Sequence, residues 1–338
     1  MQGPRCREGV PRLDARRIDD ADLDVFSGRT PVLLTHVVDA AAASSWIARL
    51  LESCGEQEVA FQTRHPRGRS EASARLRELP GLLRTSSHDE SHALMSEGLL
   101  QGNEALVDEM HAQLPAAMRH DLFAAFPEVL RPSRLCFIAS GRGARCDLHA
   151  DHFSWTGWNL LLRGRKRWRL FPNTEGTCTA FAGWREPFGA WDGTGSTMLF
   201  DCAGSWNSLV DLFQRRRDGG AAGAGAEEPE QPGDDAELGP DAERFPAASG
   251  AEGGVELVQG PGELLIFPGS WWHQTYAEEE SWAVCAQCLR PDSVDRVLSH
   301  ICDWCGLDLP DPDIGGGAAT AAARVDALLE EVLEVRGE

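Results

Sequence analysis

Between residues 135 and 289 the chain breaks into short apolar runs, and this spacing constrains its fold more than any other feature. The runs cover 135–139, 156–162, 165–171, 263–267, 271–276 and 281–289. Gly-Pro-Gly at 260–262, Pro268-Gly269 and Pro172 punctuate them as turn signals. Strands this short, at this spacing, predict a β-sandwich or barrel. Arg163-Gly164 predicts a two-residue hairpin turn that pairs Leu162 with Arg165, Leu161 with Lys166 and Asn159 with Trp168. Asn159, Leu161, Lys166, Trp168 and Leu170 then share one face, and Arg165, Arg167 and Arg169 the other, which must be the wet one.

That assignment turns an oddity of composition into a chemical question. The 32 basic residues of this 338-residue chain include one lysine, Lys166, and the alternation points it inward. A buried ammonium is costly unless it meets an anion. Two partners answer that need: Asp151, as a structural ion pair, or an acidic ligand held inside the barrel. The second is the preferred reading.

A metal-binding pattern lies close by. In His149-Ala150-Asp151 the first and third residues of an extended segment point to one side, so imidazole and carboxylate can reach one ion. Alone, His-x-Asp is a weak signal. His273, at the start of the strand after Phe267-Pro-Gly-Ser-Trp-Trp, would complete two histidines and one carboxylate, a facial set that suits non-haem Fe(II). The stretch 218–254 is a low-complexity run rich in Gly, Ala and acidic residues, expected as a disordered surface insertion. Removing it leaves roughly 85 residues between Asp151 and His273, enough for the intervening strands.

These pieces together resemble a known family. His149-x-Asp151, Trp158-Asn159, Gly164-x-Lys166-Arg-Trp168, Phe171-Pro172 and the run from Pro261 through His273 are similar to the Jumonji-C (JmjC) oxygenases, nearest to the lysyl-hydroxylase and arginine-demethylase branch. The resemblance covers about 130–290, and more loosely 31–54. It implies a mainly β chain: a double-stranded β-helix (a cupin-like jelly roll) with helical N-terminal and C-terminal extensions. It implies Fe(II) held by His149, Asp151 and His273, with 2-oxoglutarate and O2 as cosubstrates. Lys166 would pair with the distal carboxylate of 2-oxoglutarate, and Asn159 would hydrogen-bond near it. The implied reaction is hydroxylation of a substrate C–H bond with release of succinate and CO2; on an N-methyl group it amounts to demethylation. Two places depart from the closest branch. Cys285 and Gln287 stand where it tends to carry Thr and Asn, and Cys146 where it carries Thr three residues before the first histidine. Cysteine is a poor hydrogen-bond donor, so these positions bear on cosubstrate affinity and leave the substrate open.

The rest of the chain is read from pattern. Residues 1–130 are expected to be mostly helical, with one strand at 31–38 packing on the barrel. A helix is expected at 40–54, and a helical stripe through Leu106, Met110, Leu114 and Met118 should kink or restart at Pro115. The barrel is expected over 131–290, and helices over 291–338, which could pack on the barrel or form a homodimer interface. Cys285-x-x-Cys288 with Cys302-x-x-Cys305 has zinc-like spacing, but positions three apart on a strand face opposite sides, which favours buried free thiols. Ten scattered cysteines fit reduced thiols in the cytoplasm or nucleus, and the arginine-rich start lacks the apolar segment of a secretory signal. No stretch is apolar enough to span a bilayer.

A formal charge of −21 favours a basic protein or peptide as substrate over nucleic acid or anionic lipid. The local cluster Arg165, Arg167, Arg169 and 215–217 keeps an RNA hydroxylase of the same fold in play. A non-catalytic interaction module of that fold is the rival from a different class.

Overall fold

The computed structural model describes residues 9–19, 29–65, 68–87, 89–119, 121–125, 133–149, 151, 155–172, 185–186, 189–190, 253–269, 271–290, 293–294 and 297. The insertion at 218–251, the second cysteine pair and the C-terminal 298–338 lie outside the described residues.

Fifteen strands and four α-helices are described. In chain order they are β1 (Arg12–Asp14), β2 (Val32–Thr35), α1 (Ala40–Cys54), β3 (Glu58–His65), β4 (Gly68–Arg75), α2 (Leu79–Thr85), β5 (Ser91–Ser96), α3 (Glu104–Ala112), α4 (Ala116–Arg119), β6 (Cys136–Ser140), β7 (Arg145–His149), β8 (Thr156–Arg163), β9 (Lys166–Phe171), β10 (Arg185–Glu186), β11 (Gly189–Ala190), β12 (Val255–Gln259), β13 (Leu264–Phe267), β14 (Trp272–Ala277) and β15 (Ser281–Cys288). β10 and β11 pair only with each other. The major sheet has nine strands in the order β1-β2-β13-β8-β15-β6-β5-β3-β4; the minor sheet has four, β12-β9-β14-β7.

The two sheets face each other and bury different amounts. Leu33, Leu265 and Phe267 of the major sheet meet Trp168, Leu170 and Leu257 of the minor sheet in a small core between them. The opposite face of the major sheet carries Trp158, Leu160, Leu162, Ile266 and Val284 and packs on Ala43, Trp46, Ile47 and Leu50 of α1 in a larger core. Each fully buried leucine there contributes about 1.5–3 kcal/mol. The major sheet is thus covered on both faces, which is why β13 reads as the continuous apolar run Leu-Leu-Ile-Phe and β8 is buried from Thr156 to Leu162. α1 starts where the Asp39 side chain accepts a hydrogen bond from the Ala42 amide at 2.7 Å.

β9 is covered on one side only. Lys166, Trp168 and Leu170 are buried while Arg167, Arg169 and Phe171 are half-exposed, the predicted alternation. The predicted hairpin is wrong, however. β8 pairs with β13 and β15, whereas β9 pairs with β12 and β14, so Leu161–Lys166 and Asn159–Trp168 are not neighbours in one ladder. Arg163-Gly164 instead carries the chain from one sheet to the other. Gly164 has φ +85°, and a Cβ there would sit 2.1 Å from the Glu280 carbonyl oxygen. The inward direction of Lys166 survives because it depends on the period of β9 and not on its partner.

The N-terminal region also needs correction. It is not mostly helical: β3, β4 and β5 extend the major sheet beyond β6. β3 does alternate, burying Val59, Phe61 and Thr63. β4, with the sequence Gly-Arg-Ser-Glu-Ala-Ser-Ala-Arg, has no apolar face and forms only because β3 offers it a full ladder. It ends the sheet with charged side chains, which protect an exposed edge from pairing with other chains. The expected helix at 40–54 is found, and the 106–118 stripe stops after Ala112 and restarts at Ala116 beyond Pro115.

Gly164→Ala combines left-handed strain with a backbone clash. It is expected to lower unfolding free energy by about 2 kcal/mol or more, read as a drop in thermal midpoint; an unchanged midpoint would contradict the crossover geometry.

Candidate active site

Between the sheets lies a cavity of about 820 Å³, counted to its open mouth. Seven residues singled out from the sequence line it: Cys146, Asp151, Asn159, Lys166, His273, Cys285 and Gln287. They come from both sheets. β8 and β15 supply Asn159, Cys285 and Gln287; β9, β14 and β7 supply Lys166, His273 and Cys146. The ladder sets Cys285 opposite Asn159, and His273 opposite Leu170 on one side and His149 on the other. His149 is therefore placed by its backbone register, and its side chain lies outside the described residues.

The inner end holds Asp151 and His273, both buried. His273 Nδ1 lies 3.0 Å from the carbonyl oxygen of Trp271. A carbonyl only accepts, so Nδ1 carries a hydrogen and Nε2 is the ring nitrogen that faces Asp151. That nitrogen stands 3.7 Å from Asp151 Oδ1. With the imidazole protonated the two groups form an ion pair; with it neutral they are two acceptors that a metal ion beside both would satisfy. A metal ion answers that arrangement, and a ligating histidine normally donates its second ring nitrogen to a backbone carbonyl in this way. The Phe267 ring, 4.6 Å from the imidazole centroid to centroid, fixes its tilt. Gly157 makes room for both groups: a Cβ there would come within 2.3 Å of the Phe267 ring and 3.0 Å of Asp151 Oδ2.

Lys166 stands at another part of the wall and is buried. Burial pushes its pKa below the ordinary lysine value, while Cys285, Cys146 and Cys136 act in the opposite direction. No carboxylate among the described residues forms an ion pair with it; the ion-pair contact of Asp151 is His273. The structural-pair alternative for Lys166 is thereby corrected. Nearby, the Asn159 Oδ1 atom is buried with no hydrogen-bond partner among the described residues. A cation lacking a carboxylate and an unsatisfied amide, both lining one cavity, fit an anionic ligand with a carboxylate end.

The sequence reading missed Gln259 and Thr275. Gln259 is fully buried. Its amide accepts from the Trp168 indole at 2.8 Å and donates to the carbonyls of Asn159 and Glu263 at 2.8 Å each, tying the two sheets together beside the cavity. Nothing in its sequence setting marks it. Thr275 lines the cavity two residues after His273, and that i+2 spacing could have identified it. Cys285 lines the cavity while Cys288 is buried in the helix-side core, so the first cysteine pair faces opposite ways as expected. Among the described residues no three metal-ligating side chains gather into one site; the side chain of His149, the third proposed ligand, lies outside those described.

The arginines on the outer face of β9 are not a free basic patch. Arg167 pairs with Glu256 and Glu278, Arg169 with Glu256 at 3.0 Å, and Arg165 with Glu278 at 3.4 Å. The glutamates come from β12 and from the turn after β14, so two carboxylates offset most of the charge of the three arginines. No helix among the described residues is long and apolar enough to cross a membrane.

A two-layer β fold with an inward donor set defines a class, and comparison with known proteins agrees. The chain belongs to the cupin-like domain family, whose model matches residues 21–286. It is a JmjC domain of that family, with weak similarity to three characterised relatives. It is 22% identical over 292 residues to the bifunctional arginine demethylase and lysyl-hydroxylase psr-1 of Caenorhabditis elegans, covering 83% of this chain and 61% of the relative. It is 25% identical over 165 residues to the lysine-specific demethylase JMJ21 of Arabidopsis thaliana, covering 47% of this chain and 17% of the relative. It is 22% identical over 172 residues to the 2-oxoglutarate and iron-dependent oxygenase JMJD4 of Mus musculus, covering 51% and 30%. The chain spans less than two thirds of the length of each of these relatives.

Lys166→Met keeps the length of the side chain and removes the charge. With no anion bound, loss of an uncompensated buried cation is expected to stabilise the protein by roughly 1–3 kcal/mol. Affinity for 2-oxoglutarate should fall about 100-fold, the loss of a charge-assisted contact. Denaturant unfolding and calorimetry read the two effects; a variant that is destabilised yet binds normally would contradict this role of the ammonium.

Proposed function

We propose that this chain is an Fe(II)- and 2-oxoglutarate-dependent oxygenase that hydroxylates a lysyl or arginyl side chain of a basic protein, or demethylates it through hydroxylation. One observation carries the reading: a buried ammonium with no carboxylate partner among the described residues lines the same cavity as Asp151 and His273. His149, Asp151 and His273 are the residues that would hold the metal. Lys166 would hold the distal carboxylate of 2-oxoglutarate, with Asn159 and Gln287 beside it and Cys146 and Cys285 completing the wall. When bound, iron and 2-oxoglutarate supply oxidation of a substrate C–H bond by O2, with succinate and CO2 released.

The protein's share of the chemistry is orientation and exclusion of water. The Trp271 carbonyl accepts from His273 Nδ1–H, so Nε2 is the nitrogen that would ligate. Trp168, clamped by Gln259, and Phe267 form an apolar wall that strengthens each charge contact inside the cavity. Cysteines in place of two hydroxyl groups leave Lys166 as the main anchor for the cosubstrate.

Charge supports the substrate class. A net −21 attracts a basic peptide. The offset of most of the arginine charge on β9 removes part of the positive surface that an RNA substrate would need. The printed names of two relatives, an arginine demethylase and lysyl-hydroxylase and a lysine-specific demethylase, point to the same side chains.

Purified protein supplied with Fe(II), ascorbate and 2-oxoglutarate is expected to make succinate slowly without substrate. Asp151→Ala should abolish this turnover and Fe(II) binding while keeping the fold. Adding basic proteins from an extract should accelerate turnover, and mass spectrometry should find one added oxygen, or a lost methyl group, on Lys or Arg. Absence of succinate from folded wild-type protein, or equal succinate from Asp151→Ala, would defeat the proposal.

A further inference from the structure

Beside the cavity lies a pair of thiols, one of them in its wall, that the reaction does not use as a pair. Cys136 on β6 and Cys285 on β15 are direct cross-strand partners in the antiparallel ladder. Directly opposed residues point to the same face, with Cα atoms about 4.5–5.5 Å apart and Cβ atoms about 4.5–5.5 Å apart. A disulfide spans roughly 4.4–6.8 Å between Cα atoms and 3.5–4.5 Å between Cβ atoms. The backbone spacing is therefore compatible, and the side chains need only a small approach. Both cysteines are reduced in the structure, and the Cys136 thiol donates to the Phe137 carbonyl at 3.9 Å.

Their surroundings give the pair a consequence. Cys136 is buried, whereas Cys285 is partly exposed and lines the cavity, where a small oxidant can reach it. Both thiols lie close enough to Lys166 for their charge state to affect its own. On the other side of β15, Cys285 stands opposite Asn159, the second proposed cosubstrate contact. A rotation that turns Cys285 toward β6 changes the wall between Lys166 and Asn159.

We propose that Cys136 and Cys285 form a reversible dithiol–disulfide site, and that closing it weakens the 2-oxoglutarate arm of the cavity. The oxidant is a peroxide. The Cys285 thiolate attacks one peroxide oxygen: an S–O bond forms, the O–O bond breaks, and the departing hydroxide takes up a proton to become water. The Cys136 thiolate then attacks the resulting sulfenic sulfur. The S–S bond forms, and the second oxygen leaves as water. Two thiols lose two electrons in all, and hydrogen peroxide is reduced to two waters. A cellular dithiol reverses the change by thiol–disulfide exchange. Because the cross-strand Cβ spacing is wider than a relaxed disulfide prefers, the bond belongs to the strained, readily reduced kind. Cys146 lines the cavity from β7 in the other sheet and is not opposed to either thiol, so it is the competing partner and not the expected one.

The effect on 2-oxoglutarate rests on the function proposed above; the crosslink does not, so two readouts separate them. The full chain is treated with hydrogen peroxide, its remaining thiols are blocked, and its peptides are mapped without reduction, with fragmentation to tell Cys285 from Cys288. A Cys136–Cys285 link reversed by dithiothreitol is expected. Calorimetry on the same samples should show 2-oxoglutarate binding weakened about tenfold by oxidation, comparable to losing one hydrogen bond to a charged group. Cys136→Ala should bind as reduced wild type does and ignore peroxide, with Cys136→Ser as the substitute if the alanine protein does not fold. No link, a Cys146–Cys285 link, or equal peroxide sensitivity in the Cys136 variant would overturn the site. Mapped linkage in a protein that never binds 2-oxoglutarate would keep the thiol pair and remove the proposed effect on cosubstrate, along with the function it rests on.

Discussion

An ammonium enclosed between two β-sheets, with no carboxylate partner among the described residues, is the constraint around which this molecule is arranged. Lys166 sits at the first position of β9, on the inward side of a strand whose other buried members are Trp168 and Leu170. Taking a lysine out of water costs several kcal/mol when nothing replaces the solvent. A folded chain with only a modest margin of stability tolerates that deficit when a ligand repays it. The site is thus stored as an unmet electrostatic demand.

The demand can be held because the two sheets divide the work. The nine-stranded sheet is buried on both faces, and its attachment to α1 supplies most of the apolar burial. The four-stranded sheet is wet outside, closed by arginine–glutamate pairs worth little individually, and carries Lys166 and His273 inside. A rigid two-sided sheet therefore faces one that carries the chemistry. Gln259 couples them, clamping the Trp168 indole on one sheet and the Asn159 carbonyl on the other. A 1 Å slip between the sheets would spoil the spacing of donors that come from different strands.

What could be read from the sequence followed local periodicity, and what could not depended on tertiary pairing. The alternation Lys-Arg-Trp-Arg-Leu placed Lys166 inward without knowledge of its neighbours. The hairpin was misread because Arg163-Gly164 fits a tight turn as well as a crossover, and the choice is made by β13 and β15 occupying both sides of β8. β4 was illegible because a polar edge strand is stabilised by its partner and not by its own residues. The basic face on β9 looked exposed because its compensating glutamates lie about 90 to 110 residues away in sequence. Seven of the eight proposed site residues line the cavity, and the eighth, His149, is set opposite His273 by register. Gln259 escaped notice because a lone glutamine before a glycine turn carries no motif.

One lysine in the whole chain makes the central claim directly measurable. Protein grown with isotope-labelled lysine gives one side-chain resonance, from Lys166, whose pH titration reports the charge at Nζ. In the free protein it should titrate below the 10.5 of an ordinary lysine, because burial disfavours the charged form. Adding 2-oxoglutarate should move the resonance and raise the titration midpoint, since a bound carboxylate favours the ammonium; by linkage, binding should then weaken as pH rises through the free-protein midpoint. A resonance that titrates at 10.5 and is unmoved by 2-oxoglutarate would contradict the account.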